Sequence, residues 1–174
     1  AFGSTSGAPM LHIAGHTPEA GMPSAPAADR VTIDREMLAD AWRQLNSGGA
    51  DIDLVAIGSP HLSLAELHLI DAAFDGRHRH ADVKLILTIG RDVLDDARRD
   101  GVAARLEASG ATLYSDLCWC SITQPLFPPE TKVLMTNSGK YAHYATALSG
   151  CQVRLGGIAA CVEAAVSGIA DTTL

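Results

Sequence analysis

Positive charge is scarce in this chain: Lys and Arg number 13 against 20 Asp and Glu, a formal net charge of −7 over 174 residues. That balance excludes a surface built to follow phosphate backbones, which needs clustered Lys and Arg. The basic residues present are interleaved with acids, as in Asp95-Asp96-Ala97-Arg98-Arg99-Asp100, and read as solvated helix faces. Long apolar runs are missing too. None approaches the ~20 residues that span a bilayer, so no membrane partner is expected. Cysteine is sparse, four residues in all, which is too few for a disulfide scaffold at this length and suits a reducing cytoplasm. The G-x-S-x-G elbow of hydrolases does not occur, nor do the G-x-x-x-x-G-K-[ST] and G-x-G-x-x-G loops that cradle nucleotides. There is no internal repeat, coiled coil or low-complexity tract. No signal-peptide pattern is visible, and position 1 is Ala, so the expectation is a piece of a longer polypeptide.

What remains is a composition for burial: 47% hydrophobic and 19% charged residues, with mean hydropathy +0.13. The length supports one full core, and a single α/β domain over residues 1–174 is expected. Short apolar runs alternate with amphipathic ones. Strands are expected at Met10 to Ala14, Ile52 to Ile57, Val83 to Ile89, Ala111 to Tyr114, Lys132 to Met135 and Gln152 to Leu155. Residues 21–30, with Pro23 and Pro26, read as an irregular connection. Asp34 caps a helix to about Leu45 whose apolar face holds Met37, Leu38, Ala41, Trp42 and Leu45. Ser63 caps another, with Glu66 at the capping-box position. Helical patterns follow over Arg91 to Ala108 with a break at Gly101, over Ser138 to Leu148, and over Gly157 to Val166. Alternation of this kind implies a three-layer α/β sandwich around a mainly parallel sheet.

In such sheets ligands bind beyond the carboxyl ends of the strands. Three polar loops fall there: Gly58-Ser59-Pro60-His61, Ser115 to Ser121, and Thr136 to Lys140. The last presents hydroxyls, an amide and free N–H groups at a helix N-terminus, which suits a carboxylate or phosphate. Ser138 is the natural cap, and that duty alone accounts for it. Lys140 in the first helical turn opposes the dipole, which points to anion binding. Cys118 and Cys120 form a C-x-C pair. If extended, it turns both sulfurs to one side; two small core residues fit the spacing equally. Cys161 reads as core by periodicity, yet it lies in a first helical turn where the dipole favours a thiolate. Cys151 reads as structural. His61 is open between loop bracing and a substrate hydrogen bond. His12 and His16 flank the first strand, beside Gly3-Ser4-Thr5-Ser6-Gly7, a second candidate anion loop. His78 and His80 read as an exposed loop.

Taken in order, Gly58-Ser59-Pro60-His61-Leu62-Ser63-Leu64, Asp116-Leu117-Cys118, Met135-Thr136-Asn137-Ser138-Gly139-Lys140-Tyr141-Ala142 and Gly156-Gly157-Ile158-Ala159-Ala160-Cys161-Val162-Glu163-Ala164-Ala165 resemble the aconitase X family, in the C-terminal portion of its large or catalytic region. His12-Ile13-Ala14-Gly15-His16-Thr17-Pro18-Glu19-Ala20 also looks like a family stretch. The resemblance implies an aconitase-like fold and an iron–sulfur-dependent hydro-lyase that removes water from a small hydroxy acid. One branch converts cis-3-hydroxy-L-proline to pyrroline-2-carboxylate; the other, archaeal and two-chained, dehydrates mevalonate 5-phosphate. The Cys118–Thr123 and Ser138–Tyr144 runs look more like the hydroxyproline branch. By this match Cys118 and Cys161 carry over as cluster ligands, with a third ligand and a small swivelling domain expected outside this chain. Thr136, Asn137, Ser138 and Lys140 are expected on the substrate, supported by Ser59 and His61; the catalytic base is not identified. Two other readings stand beside this one: a zinc- or copper-binding module on Cys118 and Cys120, and a non-catalytic α/β interaction domain.

Overall fold

The computed structural model describes residues 6–7, 10–21 and 29–171. Five strands form one parallel sheet: β1 (Leu54–Leu62), β2 (Lys84–Ile89), β3 (Ala111–Ser115), β4 (Val133–Thr136) and β5 (Gln152–Leu155), in the order β3-β2-β1-β4-β5. Six α-helices accompany them: α1 (Arg35–Gln44), α2 (Leu64–Phe74), α3 (Arg91–Asp100), α4 (Val102–Ala108), α5 (Gly139–Ser149) and α6 (Ile158–Ser167). None is long and apolar enough to cross a membrane among the described residues.

The strands read as near-continuous apolar runs because both sheet faces are covered. Along β1, Val55 and Ile57 face one cluster with Leu85, Leu87, Phe74 and Val162, under α2, α3, α4 and α6. Leu54 and Ala56 face the other, with Ile86, Leu134, Trp119 and Tyr141, under α5 and the long β3–β4 connection. Two covered faces make the expected three-layer α/β sandwich. Local signals fix the helix starts. Ser63 Oγ accepts from Glu66 N–H while Glu66 returns a bond to the Ser63 N–H, a complete capping box. Gly101, at φ +86°, separates α3 from α4 where an L side chain would be strained.

Three expectations change. Met10 to Ala14 is not a strand; the stretch runs through a turn into a short 3₁₀ helix at Pro18–Gly21, and no strand among the described residues pairs with it. The connection over residues 21–30 and the loop from Gly3 lie largely outside the described residues. The first sheet strand extends past Ile57 to Leu62, so Gly58-Ser59-Pro60-His61 belongs to β1 rather than to a loop. Lastly, α1 forms where expected, capped by Asp34 Oδ1 on Met37 N–H, yet none of its residues is buried. Of its apolar stripe only Leu45, at the C-cap, packs against the core; Met37, Leu38 and Trp42 are exposed.

Candidate functional site

The site grows out of an irregularity in β1. Its pairing with β2 runs from Leu54–Lys84 to Ile57–Leu87, lapses, and resumes at Leu62–Ile89, so the intervening residues bulge at the carboxyl edge. Gly58 makes this possible. Its φ is +117°, and a Cβ there would collide with Thr88 backbone O and Oγ1. Thr88 Oγ1, wholly buried, donates to Gly58 O at 2.7 Å and ties the bulge to β2. Ser59, Pro60 and His61 are thereby displayed in front of the strand ends.

The segment after β3 crosses over to meet them. Asp116, in the left-handed region at φ +58°, turns the chain back; its carboxylate takes the Arg91 N–H at 3.0 Å and the Arg91 guanidinium at 2.9 Å. His61 Nε2–H donates to Leu117 O at 2.9 Å, which leaves Nδ1 as the ring's only acceptor. Trp119 drops into the core, 2% exposed, with its indole N–H toward Ile57 O at 3.4 Å and its ring 5.3 Å from Tyr141. These contacts close an open cleft of about 230 Å³ lined by Gly58, Ser59, Pro60, His61, Cys118, Trp119 and Lys140. Four of the expected site residues, Ser59, His61, Cys118 and Lys140, share it.

The C-x-C pair is not extended. Ser121 N–H donates to Cys118 O at 2.9 Å, closing a turn, and the two thiols stay within hydrogen-bonding reach of each other. Cys118 lies exposed on the cleft; Cys120 lines a neighbouring cavity of about 350 Å³ with Thr123, Phe127 and Tyr141. Partial burial and the adjacent Cys118 push the Cys120 thiol up, against an opposing pull from Lys140. Burial pushes the Tyr141 hydroxyl up as well, with Cys151 and Cys120 adding to it.

The Thr136–Ser138 stretch sits deeper. Thr136 is fully buried, pairs with Ala56 and Leu155, and its Oγ1 accepts from Ser138 N–H at 3.2 Å. Ser138 Oγ caps α5 on Tyr141 N–H at 3.1 Å. Both hydroxyl oxygens already have backbone work. Asn137 differs: its Oδ1 is buried with no hydrogen-bond partner, an acceptor awaiting a donor at the α5 N-terminus.

Cys161 is on the first turn of α6, after Gly156 and Gly157. It is fully buried in the cluster with Val55, Met135 and Val162, its thiol 3.7 Å from Gly156 O. Desolvation pushes that thiol up to about 12, so the dipole loses to burial. Cys118 and Cys161 are at the same edge of the sheet, one accessible and one sealed. Soft thiols suit iron–sulfur ligation in kind, but fall short in number: no three of His, Cys, Asp and Glu among the described residues stand close enough to hold a metal ion. Cys151 is buried, its thiol donating to Thr131 O at 3.1 Å, as its structural reading requires.

The supports Thr88 and Arg91 lie in no stretch singled out in the sequence, and only the fold reveals them; Asp116 and Trp119 fall within the Asp116–Thr123 stretch, but their supporting roles appear only in the fold. His12 and His16 are exposed and outside the cleft. His78 and His80 are exposed, His78 Nδ1–H donating to Ala108 O at 2.9 Å.

Comparison with known proteins assigns this architecture. Residues 52–167 match the family model for the aconitase X third domain. The chain is 48% identical to a cis-3-hydroxy-L-proline dehydratase of Pseudomonas aeruginosa, over 97% of its own length and 30% of that protein's. It is 30% identical to the phosphomevalonate dehydratase large subunit of Methanothermobacter thermautotrophicus, over 86% of its length and 37% of that subunit. The crystal structure of Thermococcus kodakaraensis aconitase X in its holo-form superposes with a TM-score of 0.73 at 25% identity, covering 87% of this chain and 38% of that one. The chain thus spans about a third of the length of the relatives it matches. With a family model covering two thirds of its residues and a parallel sheet whose carboxyl edge carries the cleft, the chain belongs to the aconitase X family.

Proposed function

We propose that this chain is the third domain of an iron–sulfur-dependent dehydratase, a hydro-lyase that removes water from a small hydroxy acid, cis-3-hydroxy-L-proline being the substrate. The observation that carries the reading is the cleft at the carboxyl edge, where an exposed thiol, Cys118, stands with the cation of Lys140 and the polar groups of Ser59 and His61. The substrate follows from similarity: identity is 48% to the hydroxyproline enzyme against 30% to the phosphomevalonate subunit. Four free cysteines, none in a disulfide, agree with a reducing cytoplasm.

Elimination of water alpha and beta to a carboxylate makes three demands: the carboxylate must be held, the leaving hydroxyl activated, and the alpha proton removed. Lys140, at the start of α5, supplies a cation for the carboxylate, and the helix N-terminus adds its dipole. Asn137 Oδ1, the orphaned acceptor, suits the ring ammonium of a proline. Ser59 and His61, fixed through Gly58 and Leu117, orient the ring hydroxyl. When bound, an iron–sulfur cluster supplies a Lewis acid for that hydroxyl. Cys118 and Cys161 would hold it, with a further ligand and the small swivelling domain coming from the rest of the enzyme.

The test joins this chain to the flanking sequence of the Pseudomonas aeruginosa relative, replacing the aligned portion, and assays dehydration after anaerobic reconstitution with iron and sulfide. Turnover of cis-3-hydroxy-L-proline, with Lys140→Ala raising KM about tenfold or more as a lost charge-assisted contact predicts, supports the reading. A folded, iron-loaded polypeptide that turns over mevalonate 5-phosphate instead, or neither acid, contradicts it.

A further inference from the structure

Eight of the twelve large apolar side chains exposed among the described residues lie between Met10 and Trp42, ahead of the 52–167 match. Val31 and Ile33 are 73% and 68% exposed, and Leu38 on α1 is 61% exposed. An open groove of about 460 Å³ follows α1 between Arg35, Leu38, Ala39 and Trp42. Singly scattered apolar residues need no explanation, but a run of them on one segment does.

The end of α1 is tied to the sheet. Trp42 O accepts from Asn46 Nδ2 at 3.0 Å, and Asn46 Oδ1 accepts from Leu155 N–H at 2.9 Å. Gly48 N–H donates to Val153 O at 3.1 Å, and Arg154 Nε to Gly49 O at 3.1 Å. These bonds clamp the end of α1 to β5, the edge strand, at the residue just before Gly156 and the turn that leads to Cys161. A body packed on α1 would therefore stand against the carboxyl edge of the sheet, where the described thiols lack a third donor.

We infer that the α1 face, centred on Leu38 and Trp42, is the surface on which the remainder of the aconitase X polypeptide docks against this domain. The inference rests on the reading of this chain as one part of a larger dehydratase. Relative length selects that occupant: 97% of this chain, α1 included, aligns with the Pseudomonas aeruginosa protein yet takes up 30% of it, so α1 has adjoining polypeptide there. Adjoining domains pack through apolar patches with polar rims, and Arg35 and the Arg43–Asp40 pair supply such a rim.

The joined polypeptide described above tests this by thiol labelling read with peptide mass spectrometry. Leu38→Cys and, as a control on the exposed outer side of α2, Leu69→Cys are compared in the isolated 174-residue chain and in the joined polypeptide, with Cys161 protection reporting that both are folded. The position-38 thiol is expected to react about tenfold or more slowly in the joined polypeptide, and the position-69 thiol equally in both. Equal rates at position 38 overturn the inference. If the joined polypeptide does not fold, the two pieces are mixed: co-elution abolished by Leu38→Glu supports docking on α1, and co-elution that survives it, or none with the unsubstituted chain, overturns it. Self-association of the isolated chain that Leu38→Glu disperses would assign the face to a second copy and also overturn it. Protection without dehydration contradicts the proposed function alone; dehydration without protection contradicts the docking alone.

Discussion

Cys118 and Cys161 reach the same edge of one sheet by different routes, and their surroundings are opposites. Cys118 comes on a connection held by Asp116, His61 and Trp119, and its thiol is open to the cleft. Cys161 comes on a helix packed into the core, and its thiol is sealed. An exposed thiol exchanges ligands and reagents freely, whereas a buried one is held in place at the cost of ionising poorly. If the two share a cluster, the sealed residue anchors the site and the open one faces the chemistry.

The largest effect that sharpens this contrast is kinetic. In native, metal-free protein, Cys161 should react with a thiol reagent about a thousandfold or more slowly than Cys118, because it is reached only through opening of the core. Comparable rates at the two sites, read by peptide mass spectrometry, break the comparison. The next effect is alkaline. Folding raises the Cys161 thiol from 9.0 to about 12, so between those values the unfolded chain releases a proton the native state keeps. Stability is unaffected below pH 9 and falls as pH rises toward 12, by at most about 1.4 kcal/mol per unit. Denaturant unfolding across that range should show the slope, and Cys161→Ala should lower it while Cys118→Ala does not, the raised Tyr141 hydroxyl keeping its own slope above pH 10. The smallest effect is in the metal-free fold itself. Cys161→Ser places a hydroxyl in an apolar cluster, with Gly156 O at long range, and should cost about 1–3 kcal/mol; Cys118→Ser should stay within about 0.5 kcal/mol. A chemical-denaturation midpoint for each variant checks the pair.

Much of this was readable in the chain because it is local. The Ser63–Glu66 capping box, the Gly101 break and the Ser138 cap each involve residues within one turn, and each formed as expected. The convergence of Ser59, His61, Cys118 and Lys140 was readable as well, since alternating strands and helices bring the loops after parallel strands to one edge. What escaped depends on distant partners. Gly58 and Pro60 look like loop residues, and only resumed pairing at Leu62–Ile89 makes them part of a strand. The apolar run at Met10 to Ala14 has the composition of a strand but no neighbour to pair with among the described residues. Alternation across Cys118 and Cys120 presumed an extended backbone, and the Cys118–Ser121 turn removed it. The stripe on α1 marked a helix correctly, while periodicity says nothing of what covers it.

The measurement closest to the centre of the account is iron and acid-labile sulfide in the joined, anaerobically reconstituted enzyme, with visible absorption, for the unsubstituted protein, Cys118→Ser and Cys161→Ser. A brown protein that loses its iron and colour in either variant, with Cys120→Ser unaffected, is the predicted result. Full iron and colour retained in Cys161→Ser would show that the sealed thiol is only core, and would contradict the shared site.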